Sequence, residues 1–361
     1  MNNSIKTTIV AALTMTIALF STLALSNDFT GAGARYSAQA GTMVANANDA
    51  FALFVNPANI VVQDESLDLA NFAGNAQHYP EDQNGKRDFG LHYLGGFKVS
   101  NEWLLGGYLL GPTLPVYVPL NDGSFEELST VIYGVSYAKG GNIFANNSNA
   151  RWALGASLDL ISARTEGGYQ PKSDYAGTLS GALLFKRQFN FQTQAINVLS
   201  QFGVSHAHDI GAELGNNTEI SLRPSITRAG AKVSLIHLNT IVSWQLSIAT
   251  ELYKSSSSNP VPSNVFELGN TPNIPSFAQI TQQNINVDEQ RIGGELTFIQ
   301  PFQLDGDFSI RAGVKVSKQS LNIGTSGIGF TYGNWSYDIS VSESTFVDGD
   351  VNYEFSISYT H

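Results

Sequence analysis

Residues 29 to 60 hold most of the chemistry this chain can perform. The stretch opens Phe29-Thr-Gly-Ala-Gly-Ala-Arg-Tyr-Ser-Ala-Gln-Ala-Gly41, continues through Ala45-Asn-Ala-Asn-Asp-Ala50 and closes on Asn56-Pro57-Ala58. Its residue types do not make or break covalent bonds. Gly31, Gly33 and Gly41 let a backbone follow a tight path through crowded surroundings. Pro57 biases Asn56 toward an extended or turn conformation, a fixed bend. Arg35 and Asp49 need charged or hydrogen-bonding partners wherever they are buried. Each glycine alone marks an ordinary turn as readily, and so does the Asn-Pro pair. Only their joint spacing raises the stretch above a set of ordinary turns.

Other patterns carry less. His206-x-His208-Asp209 can put two imidazoles on one strand face, but no third ligand accompanies them, and a solvent-exposed pair at a strand end is expected. Asp348-Gly-Asp-Val-Asn352 spaces oxygen ligands like a calcium loop, yet Asp-Gly between two alternating runs is the stronger hairpin signal. No Gly-x-Ser-x-Gly elbow, His-Glu-x-x-His helix or phosphate-binding loop occurs. The expectation is therefore a non-enzyme with neither metal nor cofactor.

The elements that must position the 29–60 segment follow from the rest of the chain. Residues 1–26 have one positive charge, Lys6, a short apolar core and the small residues Ala24 and Ser26, which reads as a secretory signal peptide. Asn27 follows, not Cys, so lipoprotein processing is not indicated. Acidic side chains number 30 against 19 basic ones, a balance that argues against a nucleic-acid partner. There are no cysteines, hence neither disulfides nor thiol chemistry. Charged residues make up only 14% of the chain, well below the roughly 25% of ordinary soluble domains, while aromatics, Gly, Ser and Asn are abundant.

Apolar and polar residues alternate along nearly the whole remaining length, the signature of strands with two unlike faces. In 350–359, Tyr353, Phe355, Ile357 and Tyr359 share one face, with Glu354, Ser356 and Ser358 on the other. Val242, Trp244, Leu246 and Ile248 repeat the period, as do Phe308, Ile310, Ala312, Val314 and Val316 against Ser309, Arg311 and Lys315. Strands are expected near 66–73, 88–99, 102–111, 129–138, 152–163, 177–187, 196–206, 229–237, 239–253, 290–299, 307–319, 327–333, 335–345 and 350–359. Connections after odd strands are mostly long and those after even strands mostly short, as in a barrel with both ends in the periplasm. The 139–151 connection and the Asp348-Gly349 turn are exceptions to that rule.

The fold class expected is all-β: a transmembrane antiparallel β-barrel of about 14 strands. Residues 65–361 form the barrel, with a long extracellular loop at 254–289. The apolar residues of that loop, Phe266, Leu268 and Phe277 among them, are candidate ligand contacts. Tyrosines and tryptophans such as Trp103, Tyr108, Tyr133, Tyr137, Trp152 and Trp335 suit interfacial belts.

Gly31, Gly33, Arg35, Tyr36, Ser37, Gly41, Asp49, Ala50 and Asn56-Pro57-Ala58 resemble the opening of the FadL-type family of outer-membrane transporters for hydrophobic compounds. PorV-like and TraF-like relatives open similarly, and Leu222-Arg-Pro-Ser-Ile-Thr-Arg-Ala-Gly-Ala231 is similar to a segment leading into a mid-barrel strand of such proteins. The resemblance implies a protein of the bacterial outer membrane that contacts its lipid. It also implies that residues 27–64 form an N-terminal hatch plugging the barrel's lumen, and passive uptake of hydrophobic small molecules, fatty-acid-like or aromatic, past that hatch, which includes Gly31, Gly33, Arg35, Tyr36, Gly41, Asp49, Asn56, Pro57 and Ala58. The relatives imply an alternative, a barrel serving secretion or surface assembly by binding protein partners. The chain ends in Thr360-His361, with Tyr359 in place of the terminal aromatic of such barrels.

Overall fold

The computed structural model describes residues 33–47 and 49–63 and, between 71 and 360, the strands with some of their turns. The leader, Gly31, Phe266, Leu268, Phe277 and the Asp348-Gly349 turn lie outside the described residues. Three short helices come first: α1 (Ala34–Ser37), α2 (Ala52–Val55) and α3 (Ala58–Val62). The strands that follow are β1 (Asn71–His78), β2 (Phe89–Ser100), β3 (Trp103–Leu110), β4 (Val116–Pro119), β5 (Phe125–Phe144), β6 (Asn147–Thr165), β7 (Asp174–Phe191), β8 (Gln194–Ala207) and β9 (Ile210–Leu214). Then come β10 (Thr218–Arg223), β11 (Ser225–His237), β12 (Ser243–Pro262), β13 (Ile280–Ile299), β14 (Asp307–Ser317), β15 (Ile323–Tyr332), β16 (Trp335–Glu343) and β17 (Val351–Thr360).

Every pairing is antiparallel. The hydrogen-bonded order runs β1-β2-β3-β5-β6-β7-β8-β11-β12-β13-β14-β15-β16-β17, and β17 pairs back onto β1, Asn71 opposite Thr360. Strand β4 continues along the edge of β5 where β3 leaves it, and β9 and β10 form a separate two-stranded sheet.

The side-chain distribution is inverted relative to a soluble domain. Leu179 (69% exposed), Leu154 (62%), Val135 (58%) and Ile248 (56%) stand on the outer surface, while Arg291 and Asp159 are fully buried inside the ring. Strand β17 shows the alternation as expected, with Tyr353 and Phe355 outward and Glu354, Ser356 and Ser358 inward. Apolar surface outside and charge inside is what a barrel in lipid requires. Trp103, Tyr133, Tyr137 and Trp335 face outward, but Tyr108 does not. It falls on the inner face of β3 and donates its hydroxyl hydrogen to Asp159, its ring lying where Gly134 leaves room.

The structure lengthens the expected strands more than it adds to them. Strands β5 and β6 leave only two residues between them, so the 139–151 connection becomes a tight hairpin on the short-turn side. Much of 254–289 is strand, paired from Lys254 opposite Asp288 to Pro262 opposite Ile280. Strands β4, β9 and β10 lie within stretches expected to be loops, and β1 is described from Asn71, the earlier part of the expected 66–73 strand lying outside the described residues. In the β12–β13 extension the reason is visible: Ser255 to Ser258 show no apolar–polar alternation, yet their backbones stay paired, because the ladder hydrogen bonds do not depend on side-chain type.

Substituting Arg for Leu158, which is 54% exposed on the outer face of β6, should destabilise the barrel in lipid by about 2–4 kcal/mol if it lies near the bilayer midplane. Urea titration in vesicles checks this, with Leu158→Ala as the control.

Candidate functional site

The N-terminal residues 33–63 cross the lumen. Helix α1 packs on β15, β16 and β17, α2 on β2, β3 and β5, and α3 on β3, β5, β6 and β7. Nearly every residue of the segment is buried. Two unlike faces hold it.

The first face is polar and meets β11 to β17. Arg35 forks onto Glu295, Nε to Oε2 at 3.2 Å and Nη2 to Oε1 at 3.0 Å. Glu295 also accepts from Arg311, which reaches on to Asp338, so an alternating chain Arg35–Glu295–Arg311–Asp338 links the segment to three strands. The Ala34 amide donates to Ser356 Oγ at 3.2 Å. Thr325 Oγ1 accepts from the Ala40 amide at 2.9 Å and donates to the Ala38 carbonyl at 3.0 Å. Glu251 makes the tightest grip. Its Oε2 accepts from the amides of both Met43 and Val44 (2.7 and 2.8 Å), while Oε1 accepts from Arg228 at 3.0 Å. Charge-assisted bonds of this kind are about twice as strong as neutral ones.

Asn56 and Asn59 hold the opposite side of the same peptide units. Asn56 Nδ2 donates to the Val44 carbonyl (2.6 Å) and to Gly181 of β7 (3.2 Å), and Asn59 Nδ2 to Val44 (2.9 Å) and Met43 (3.2 Å). Residues 43–44 thus have their donors taken by the wall and their acceptors by the Asn-Pro bend. Gln201 of β8 donates to Asn59 Oδ1 at 3.1 Å and accepts from Gln63 at 3.0 Å.

The second face is apolar. Phe51, Leu53, Phe54, Val55, Ile60, Val61 and Val62 pack against Leu104, Tyr108, Ile132, Ala138, Ala153, Ala182 and Leu184 of β3 and β5 to β7. Burying each large side chain contributes roughly 1.5–3 kcal/mol. Phe54 meets the Tyr108 ring edge-on at 5.6 Å.

Glycines in the wall make the fit possible. A Cβ on Gly203 would overlap the Val44 carbonyl, one on Gly313 would sit 2.5 Å from the Ala40 amide, and one on Gly327 2.6 Å from the Ala38 Cβ. Within the segment, Gly33 (φ 72°) and Gly41 (φ 74°) occupy the left-handed region, where a side chain is strained.

Most of the residues singled out by sequence come together here. Arg35 meets Glu295; Tyr36 is fully buried edge-on to Phe51 at 6.3 Å; Asn56 is extended (φ −156°, ψ 83°); Pro57 caps α3; Ala58 begins it. Asp49 accepts from the Phe51 amide at 3.0 Å and from Tyr36. Burial pushes the Asp49 carboxyl up to about 6, against the opposing pull of Arg35 and of these hydrogen bonds. Burial also works against the Arg35 charge, but carboxylates, Glu295 foremost, hold its pKa well above the usual value. Glu251, Glu295, Gln201, Thr325 and the wall glycines escaped sequence reasoning. Their inward position within alternating strands was the one available signal, and it does not say which partner lies across the lumen. His206 faces outward and meets Thr227 Oγ1 at 2.9 Å, and among the described residues no group of three or more metal-ligating side chains occurs.

No protein-family model and no curated protein matches the chain. Among solved structures, the Ralstonia pickettii toluene transporter TbuX is similar over 92% of this chain and 99% of its own, at 13% identity and TM-score 0.47. The Pseudomonas putida toluene transporter TodX is similar over 92% and 98%, at 11% identity and TM-score 0.47. A Pseudomonas aeruginosa FadL homologue is similar over 94% and 99%, at 10% identity and TM-score 0.44.

Replacing Glu251 by Ala strands two buried amides and the Arg228 guanidinium, which should weaken seating of the segment by about 3–5 kcal/mol. Faster proteolysis within residues 33–63, with the barrel's heat-modifiable mobility retained, checks this.

A second expectation concerns pH. The seated Asp49 binds its proton more tightly than a released chain with the ordinary value of 3.8. Its contribution to seating is therefore greatest in acid and is lost as pH rises through about 6. Protease protection of the segment should be higher at pH 5 than at pH 7.5, and Asp49→Asn should flatten the difference.

Proposed function

We propose that this chain is a channel of the bacterial outer membrane for passive uptake of hydrophobic small molecules, and that residues 33–63 act as its hatch. One observation carries the reading. The barrel's outer face is apolar, and among the described residues the segment across its lumen is held to the wall by hydrogen bonds that involve side chains, by an ion pair and by apolar packing. A strand paired into the wall could not leave without opening the ring; this segment can. The resemblance of residues 29–60 to FadL-type transporters supports the same reading. When the segment shifts, the surface uncovered along β3 and β5 to β7 includes the apolar cluster Leu104, Ile132, Ala153, Ala182 and Leu184 beside polar side chains such as Ser136 and Arg151, and that cluster suits a hydrophobic passenger. The partners are then outer-membrane lipid and the hydrophobic ligand.

A second reading rests on how fully the segment packs the lumen: a barrel for secretion or surface assembly, which binds protein partners and conducts nothing. A cysteine lock separates the two, since the chain has no native cysteine. The Ala38 Cβ lies 2.6 Å from where a Gly327 Cβ would stand, so about 1 Å of relaxation brings Ala38→Cys and Gly327→Cys into disulfide range. Oxidised, this pair should abolish uptake of N-phenyl-1-naphthylamine by expressing cells, and reductant should restore it. Equal uptake in locked and unlocked cells, above that of cells lacking the protein, would sink the hatch. No uptake above that background in either state would favour the second reading.

A further inference from the structure

We propose that the outer wall of β3 and β5 to β7 binds anionic phospholipid headgroups of the periplasmic leaflet, with Lys139 and Arg187 holding them. This goes beyond the channel reading and does not depend on it; it rests on the barrel's place in the outer membrane.

The first observation is a segregation of charge. Over the whole chain, acidic side chains outnumber basic ones 30 to 19. Yet from Val131 to Leu158 and from Tyr175 to His208 the sequence holds Lys139, Arg151, Lys186 and Arg187 and no aspartate or glutamate. These stretches are the β5–β6 and β7–β8 hairpins without their far ends. They include short turns, which face the periplasm in a barrel of this kind.

The second observation is where these cations stand. Arg151 is buried inside the ring and donates to the Gln63 carbonyl. Lys139 and Arg187 are exposed on the outside. Lys139 lies between Trp103 of β3 and Leu154 of β6, its partners in the two neighbouring strands, and both are exposed. Trp152, two residues along β6 from Leu154, puts its Nε1 3.7 Å from where a Gly141 Cβ would stand. Arg187 continues the outward row of Phe185 and Phe189, its guanidinium carbon 4.9 Å from the Phe189 ring centroid. Glu102 precedes Trp103 in the β2–β3 turn, but among the described residues neither Lys139 nor Arg187 has an ion-pair partner.

Cations on an apolar wall need a counter-charge, and the bilayer can supply one. Tryptophans mark the headgroup level of a membrane, and Trp103 and Trp152 flank Lys139 there. A headgroup phosphate at that level meets the ammonium and the guanidinium, while acyl chains lie against Leu154 and Phe185. A zwitterionic headgroup brings its own cation to the same wall, so a headgroup with net negative charge fits better. A soluble acidic protein would have to displace lipid from Trp103, Leu154 and Phe185 to reach the same two cations.

The test uses the full chain with Trp244→Phe and Trp335→Phe, so that Trp103 and Trp152 alone report. It is placed in phosphatidylcholine vesicles that contain a brominated lipid, either phosphatidylglycerol or phosphatidylcholine, which quenches tryptophan on contact. Brominated phosphatidylglycerol should quench as strongly as about five times as much brominated phosphatidylcholine, the worth of one basic residue near an anionic surface. Adding Lys139→Gln and Arg187→Gln, with heat-modifiable mobility unchanged, should bring the two quenching curves together. Equal quenching by the two lipids before those substitutions overturns the proposal and leaves the cations to a soluble acidic partner. A preference that survives the substitutions overturns the assignment to Lys139 and Arg187. Neither result bears on what passes through the channel.

Discussion

A backbone amide in hydrocarbon has no water to bond, so every peptide group of a membrane-spanning strand must find its partner in a neighbouring strand. Most of this architecture answers to that demand. It makes the pairing order return from β17 to β1, and it places Leu154, Leu179 and Ile248 on the outside, where a soluble protein would put charge. It also fills the inside with a problem. The alternation that sends apolar residues outward sends Glu251, Glu295, Arg291 and Arg311 inward, where isolated charges are costly.

The N-terminal segment and the inward charges answer each other. Arg35 joins Glu295, and Glu251 takes two backbone amides that a short turn leaves without helical partners. Meanwhile the other side of the lumen, along β3 and β5 to β7, packs Leu104, Ile132, Ala153 and Leu184 against Phe51, Phe54 and Val61, with polar contacts such as Ser136 to the Leu53 carbonyl and Arg151 to the Gln63 carbonyl among them. The segment is therefore amphipathic without being a regular helix: its ion pair with Glu295 falls on one half of the ring and most of its apolar packing on the other. Among the described residues its attachment is dense and runs through side chains such as Glu251, Glu295 and Asn56.

Glycine does structural work on both partners. On the segment, Gly33 and Gly41 take positive φ; on the wall, Gly203 and Gly313 give up a side chain so that backbone can touch backbone, and Gly327 makes room for the Ala38 methyl group. The second group cannot be told from ordinary strand glycines without knowing what lies across the lumen.

The strand content was legible in the sequence because a bilayer enforces a period of two, and that period survives in each strand regardless of its neighbours. The 29–60 segment was legible for a different reason: its turns and its Asn-Pro bend are local. Where the period lapses, as at Ser255 to Ser258 of β12, paired backbone was read as loop. What the tertiary structure alone decided are the pairings across hundreds of residues: Ala34 with Ser356, Arg35 with Glu295, Met43 with Glu251. Alternation determines that a glutamate faces inward. Only the ring's register, set by every pairing around it, determines which backbone that glutamate meets.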